Sequence, residues 1–187
     1  MLQEGCDIMI VLVGASASGK TELAKKLYQT YGYTKCITTT TRPKRQGECD
    51  DVDYHFLDEE TFHILEQEDA FYEVTHYNGY LYGIQKKDVM FNGVVIVDPN
   101  GANTLISRAN KHVFIVYVET SEDIRKKRML SRGDTIDHVN QRLLHDRSVF
   151  HRDVFIRVDL LIENESHTLS ELARTVHQAY QAFCVQT

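Results

Sequence analysis

Residues Gly14, Ala15, Ser16, Ala17, Ser18, Gly19, Lys20 and Thr21 read GASASGKT, which satisfies the spacing GxxxxGK[ST] in full. Each residue type has a chemical reason to stand where it does. Gly14 and Gly19 let the backbone curl until successive N–H groups face one anion. A helix beginning at Lys20 would add the positive end of its dipole. The Lys20 ammonium is placed to neutralise the β- and γ-phosphates, and the Thr21 hydroxyl to reach a Mg2+ ion. By ordinary residue usage such a match arises by chance in on the order of 1% of chains of this size. Its flanks reduce that further, because an apolar run ends at Val13 and an amphipathic stretch follows Lys20. The motif predicts nucleoside triphosphate binding without specifying the reaction, since motors, GTPases and kinases share it. A GTPase would also carry an NKxD-type base-specificity motif, and the sequence has none.

A second chemically loaded stretch runs from Thr38 to Phe56, TTTTRPKRQGECDDVDYHF. Arg42 and Arg45 supply two guanidinium forks, and Tyr54 together with Tyr82 supplies two phenols. Because arginine pairs with phosphate bidentately, this set suits a phosphate monoester. A third stretch, 124–147, concentrates Arg125, Lys126, Lys127, Arg128, Arg132, Arg142 and Arg147 in a chain whose net charge is −6. Lys126 and Lys127 read as a solvated helix face.

These groups need elements to position them. Four β-branched runs, Ile8–Val13, Val94–Val97, Val113–Val118 and Arg157–Ile162, are apolar almost throughout, the pattern of strands covered on both faces. Between them lie helical periods: Leu23, Ala24, Leu27 and Tyr28 share one stripe of 21–31. A closing helix opens with Thr168 and Glu171 at capping-box spacing. Alternating strands and helices predict an α/β three-layer sandwich around a parallel sheet. The stretch 38–84 differs. Asn78-Gly79 separates two polar-aromatic runs, 73–77 and 80–84, the signature of a hairpin with a type I′ turn. It predicts a small, mostly antiparallel subdomain inserted into the sandwich. One domain over 1–187 is expected, with a core of about 1–37, 85–123 and 152–187, an acceptor-binding part of about 38–84 and a helical lid of about 124–151.

Composition sets the outer limits. At 187 residues, 42% hydrophobic and 26% charged, the chain has ordinary globular balance. No apolar run approaches the ~20 residues that span a bilayer. The opening MLQEGCDIMIVLVG carries acids where a secretion signal would carry lysines, so a cytoplasmic protein without membrane attachment is expected. Net negative charge argues against a nucleic-acid polymer as partner. The four cysteines, Cys6, Cys36, Cys49 and Cys184, form no CxxC pair and read as free thiols.

The ordered set GASASGKT, TTRPKRQGE, DYHFLDEETF, FYEVTHYNGYLYG, VDPNGA, RMLSRGD and LIENES resembles the guanylate kinase family over nearly the whole chain. That resemblance implies ATP-dependent phosphoryl transfer to GMP or dGMP, with Mg2+, by a monomer or homodimer acting on small nucleotides. It implies a substrate phosphate held by Arg42, Arg45, Tyr54 and Tyr82, and guanine read by Thr38, Glu73 and Asp98. A carboxylate can accept from guanine N1–H and N2–H2, a donor pair that adenine lacks. It further implies transition-state roles for Lys20, Arg42, Arg128, Arg132 and Arg142, adenine contact by Asn164 and metal contact by Thr21. Three positions depart from the family pattern: Ile96 replaces the first of two acids, Ile84 replaces a small hydroxyl, and Asp50-Asp51 replaces Asp-Gly. They keep open a related kinase for another nucleoside monophosphate or ribose 1,5-bisphosphate. The other alternative is a catalytically retired binding module of the same family.

Overall fold

The computed structural model describes residues 8–90, 92–109 and 112–186. In chain order its elements are β1 (Met9–Val13), α1 (Lys20–Tyr31), β2 (Thr34–Lys35), β3 (Thr38–Thr40), β4 (Tyr54–Phe56), α2 (Glu59–Gln67), β5 (Phe71–Tyr77), β6 (Tyr80–Gln85), β7 (Gly93–Ile96), α3 (Pro99–Ala109), β8 (Val113–Glu119), α4 (Glu122–Ser131), α5 (Ile136–Val149), β9 (Leu160–Glu163) and α6 (Leu169–Gln186).

The apolar runs form a parallel five-stranded sheet in the order β2-β7-β1-β8-β9. All five residues of β1 are buried, as expected of a central strand with helices on both faces. On one face Ile10, Leu12 and Val116 pack with Leu23 and Leu27 of α1 and Leu172, Val176 and Tyr180 of α6. On the other, Val11, Val13 and Ile115 pack with Ala102, Leu105 and Ile106 of α3. The capping box of α6 forms reciprocally: Thr168 N–H donates to Glu171 (2.8 Å) and Glu171 N–H to Thr168 Oγ1 (3.3 Å).

Three details differ from the sequence reading. The last strand begins at Leu160 rather than Arg157. Asp159 accepts from Ile115 N–H (2.8 Å) and pairs with Arg157 (2.9 Å), so side chains take over the approach to the sheet. The edge strand β2, only two residues long, carries too little periodicity to be seen in advance. Among the cysteines, Cys36 and Cys49 are free, but Cys184 is disulfide-bonded, which corrects the free-thiol reading there. Its helix lies against the start of β1, where Tyr180 donates to the Ile8 carbonyl (2.8 Å). Cys6 lies outside the described residues.

The second sheet has the order β4-β3-β6-β5. β5–β6 and β3–β6 are antiparallel, and β3–β4 is parallel. The hairpin turns through Asn78 (φ 52°) and Gly79 (φ 80°), the two left-handed residues of a type I′ turn. Helix α2 closes this sheet by stacking the fully buried Phe62 on Phe71 at 4.5 Å. Helices α4 and α5 share a separate small core of Met129, Val139 and Leu143, against which Ala17 packs. Among the described residues, no helix is long and apolar enough to cross a membrane.

Candidate active site

The site lies beyond the carboxyl ends of β1, β7 and β8, the edge of a parallel sheet where ligands bind. Residues 14–19 link β1 to α1 in a loop that bends through Gly14, Ala17 (φ 61°) and Gly19 (φ 96°). Glycine is needed twice for lack of space. A Cβ on Gly14 would run into the Val118 carbonyl, and one on Gly19 into the Asn164 amide. The Lys20 ammonium turns back on this loop, donating to the Gly14 and Ala15 carbonyls, the latter at 2.9 Å. Desolvation pushes its pKa down to about 8 against the opposing pull of Asp146.

A cleft of roughly 490 Å³ opens above the loop. Of the residues singled out from sequence, Gly14, Ser16, Ala17, Gly19, Lys20, Thr21, Thr38, Arg42, Arg45, Tyr54, Glu73, Tyr82, Asp98, Arg128, Arg132 and Arg142 line it. They are brought to one cavity from the loop, both sheets and the α4–α5 pair. Ala15, Ser18 and Asn164 are not among the lining residues; all three are buried. The Asn164 amide donates to the Ser18 carbonyl at 2.7 Å, bracing the loop from behind. Thr120 braces the same carbonyl at 3.1 Å. The two isoleucine departures separate: Ile96 lines the cleft, whereas Ile84 is fully buried in the core beneath it.

Each wall has its own electrostatics. Arg42 is held by Glu48 in a two-pronged pair (2.8 and 2.9 Å), with its guanidinium carbon 5.4 Å from the Tyr54 ring centre. Tyr54 and Tyr82 meet edge to face at 6.4 Å. Facing them, Arg128 donates to the Ala17 carbonyl (3.2 Å) and the Asn164 carbonyl (3.1 Å). Arg132 pairs with Asp134 at 2.6 Å, and Arg142 stands 3.8 Å from the same carboxylate. Glu48 and Asp134 escaped the sequence reading because each looks like an ordinary surface acid. Only the fold shows them loading the arginines.

At the base of the cleft Glu73 is 3% exposed and its Oε1 has no hydrogen-bond partner. Burial, followed by the Asp98 charge, pushes its pKa up to about 8. Asp98 is satisfied by Thr75 Oγ1 (2.9 Å) and Gly101 N–H (2.8 Å). Gly101 lies close to Glu73: a Cβ there would stand 3.0 Å from Glu73 Oε1, tighter than ordinary contact. An unpaired buried carboxyl beside a second acid is costly to keep. It is suited to a ligand that brings hydrogen-bond donors.

The parallel sandwich, the phosphate loop and the second sheet bearing an arginine–tyrosine grip together define a P-loop kinase fold. The guanylate kinase family model matches residues 7–179. The chain belongs to the guanylate kinase family. It is 33% identical over 142 residues to the guanylate kinase of Thermus thermophilus, covering 72% of this chain and 64% of that protein, just under two thirds of the relative's length. It is 32% identical over 179 residues to the guanylate kinase of Sulfurimonas denitrificans, covering 90% and 84%. The crystal structure of guanylate kinase from Anaplasma phagocytophilum superposes with a TM-score of 0.73 over 96% of this chain and 87% of that one. At 22% identity that likeness concerns the fold.

Proposed function

We propose that the protein transfers the γ-phosphoryl group of ATP to GMP or dGMP, giving ADP and the nucleoside diphosphate. The observation that carries the acceptor is Glu73, whose buried Oε1 has no hydrogen-bond partner, in the lining of the same cleft that the phosphate loop lines. Guanine would donate N1–H and N2–H2 to Glu73, with Thr38 and Asp98 completing the base contacts. Adenine presents no such donor pair and would leave the carboxyl unpaired, a penalty that separates the bases strongly. Arg42, Arg45, Tyr54 and Tyr82 would hold the acceptor phosphate.

The family relationship supports ATP as the donor. The ATP phosphates would lie on the loop amides of residues 14–21. Lys20 would exchange its loop carbonyls for the β- and γ-oxygens, a stronger, charge-assisted contact. Transfer then needs no covalent intermediate and no protein base. It needs in-line placement and cations around the migrating group, whose charge spreads over equatorial oxygens. Arg42, Arg128, Arg132 and Arg142 line the cavity and can supply them. Residues 124–151 would act as a lid that limits water and ATP hydrolysis.

Thr21, exposed at the start of α1, offers a neutral oxygen to the cavity. Metals that arrive on a triphosphate take most of their ligands from phosphate and water, so one hydroxyl fits Mg2+. When bound, Mg2+ would neutralise charge on the β- and γ-phosphates. The place of action that agrees with this chemistry is the cytoplasm, where ATP and GMP are found.

ADP release from Mg-ATP and GMP, compared between the wild type and Lys20→Ala, tests the proposal. Wild-type turnover lost at least ~1,000-fold in the variant, with unchanged circular dichroism, is expected. Near-normal turnover in Lys20→Ala would overturn it.

A further inference from the structure

Asp146 is the most heavily bonded buried acid in the cleft region, and the mechanism above makes no use of it. It sits on α5 and is 2% exposed. Its Oδ2 accepts from the backbone N–H of Ser16 (2.9 Å) and from Arg125 Nη1 (2.7 Å). Its Oδ1 accepts from the Tyr77 hydroxyl (2.7 Å) and, more loosely, from Ser16 Oγ (3.4 Å). Arg125, itself 7% exposed, reaches on to the Ser16 carbonyl at 3.3 Å.

These donors come from separate parts of the fold: the phosphate loop, α4 and the end of β5 in the hairpin. A buried ion pair is a poor source of stability, because desolvation of the charges offsets most of their attraction, and apolar groups of the same volume often do as well. Geometry is what the carboxylate adds. Tyr77 stands at the turn of the hairpin, and its ring lies 6.3 Å from that of Tyr82, one of the phenols proposed to hold the acceptor phosphate. Ser16 lies in the wall that would face the donor phosphates. A single side chain thus bridges the donor loop and the acceptor grip.

We infer that Asp146 is a positioning residue for phosphoryl transfer, a buried carboxylate that fixes the hairpin and the α4–α5 pair against the phosphate loop. The inference rests on the kinase reading and extends it to a residue that touches neither substrate. Misplacement of reacting groups by about 1 Å costs ~100-fold in rate, so loss of this bridge should act on kcat. It should act less on KM, because the groups that bind each nucleotide remain.

The test is a set of variants: Asp146→Asn, Asp146→Ala, Tyr77→Phe and the double variant Tyr77→Phe/Asp146→Ala. kcat and both KM values are measured per mole of folded protein. Asp146→Asn preserves shape but presents an amide where Ser16 and Arg125 expect a carboxylate. Tyr77→Phe removes one hydroxyl and keeps the ring packing. Both Asp146 variants are expected to lower kcat about 30-fold or more, with each KM within about threefold of wild type. Tyr77→Phe is expected to lower kcat about fivefold alone and less than about twofold in the Asp146→Ala background, since the bond it removes is already gone. A lowered Tm with unchanged kcat, or fully additive Tyr77 and Asp146 effects, would overturn the inference. If Asp146→Ala does not fold, the kcat and KM values of Asp146→Asn and Tyr77→Phe still decide it. Wild type lacking GMP kinase activity would instead overturn the reading on which the inference rests.

Discussion

Replacing Glu73 by glutamine should stabilise the nucleotide-free protein and damage its function at once. The Glu73 carboxyl titrates near 8 rather than at its ordinary 4.5, because burial and then Asp98 disfavour its charge. The unfolded chain gives up this proton above about 4.5, and the folded chain keeps it until about 8. Folding therefore binds a proton in that window, and stability falls as pH rises through it. At pH 7 the loss is about 3 kcal/mol, from 1.36 kcal/mol per pH unit above the unfolded pKa. Glutamine cannot ionise, so Glu73→Gln should match the wild type near pH 4.5 and exceed it by about 3 kcal/mol at pH 7. Urea unfolding of both proteins across pH 4.5 to 8 measures the difference. The proposed guanine contact, by contrast, uses the carboxylate. The wild-type to Glu73→Gln ratio of kcat/KM for GMP should rise about tenfold per pH unit below 8 and level off above it. At the plateau the variant should be about 30- to 1,000-fold weaker, the cost of one lost charge-assisted bond and one donor facing a donor. Parallel stability curves for the two proteins, or a flat kcat/KM ratio, would refute the reasoning.

Other expectations follow from the same geometry. Arg42→Lys loses the fork that Glu48 orients; KM for GMP should rise about 10- to 100-fold while KM for ATP stays within about threefold, as steady-state kinetics can show. Gly19→Ala places a methyl group against the Asn164 amide in left-handed backbone; it should weaken ATP binding by calorimetry at least tenfold and lower Tm by several degrees. Leu27→Ala, at a fully buried site remote from the cleft, should cost about 2 to 5 kcal/mol in urea unfolding and leave kcat unchanged.

Much of this arrangement was legible in the residues themselves. The continuous hydrophobicity of 8–13, 94–97 and 113–118 follows from burial on both faces of a parallel sheet, so these strands stand out without any partner being known. Asn78-Gly79 fixed the hairpin because few other pairs take positive φ twice in succession. The phosphate loop was legible because its glycines answer to local steric limits. What stayed hidden depends on long-range approach. Asp146 meets Ser16 and Tyr77 only through the packing of α5 on the cleft, and nothing at its own position announces that contact. Asn164, which matches a family position for adenine contact, also braces the loop through its amide on the Ser18 carbonyl, a contact between residues far apart in sequence. Ile84 looked like a change in the site and lies in the core. The strand expected at 157–159 was lost because Arg157 and Asp159 satisfy each other and the Ile115 amide.

The central claim is that Glu73 and the arginine–tyrosine grip select a guanine monophosphate for transfer from ATP. ADP release with Mg-ATP, measured separately for GMP, dGMP, AMP, UMP, CMP, dTMP and ribose 1,5-bisphosphate, tests it most directly. The account predicts kcat/KM for GMP or dGMP at least ~100-fold above that for every other acceptor. Equal or faster turnover of another acceptor, or no transfer to any of them by protein that binds ATP, would contradict it.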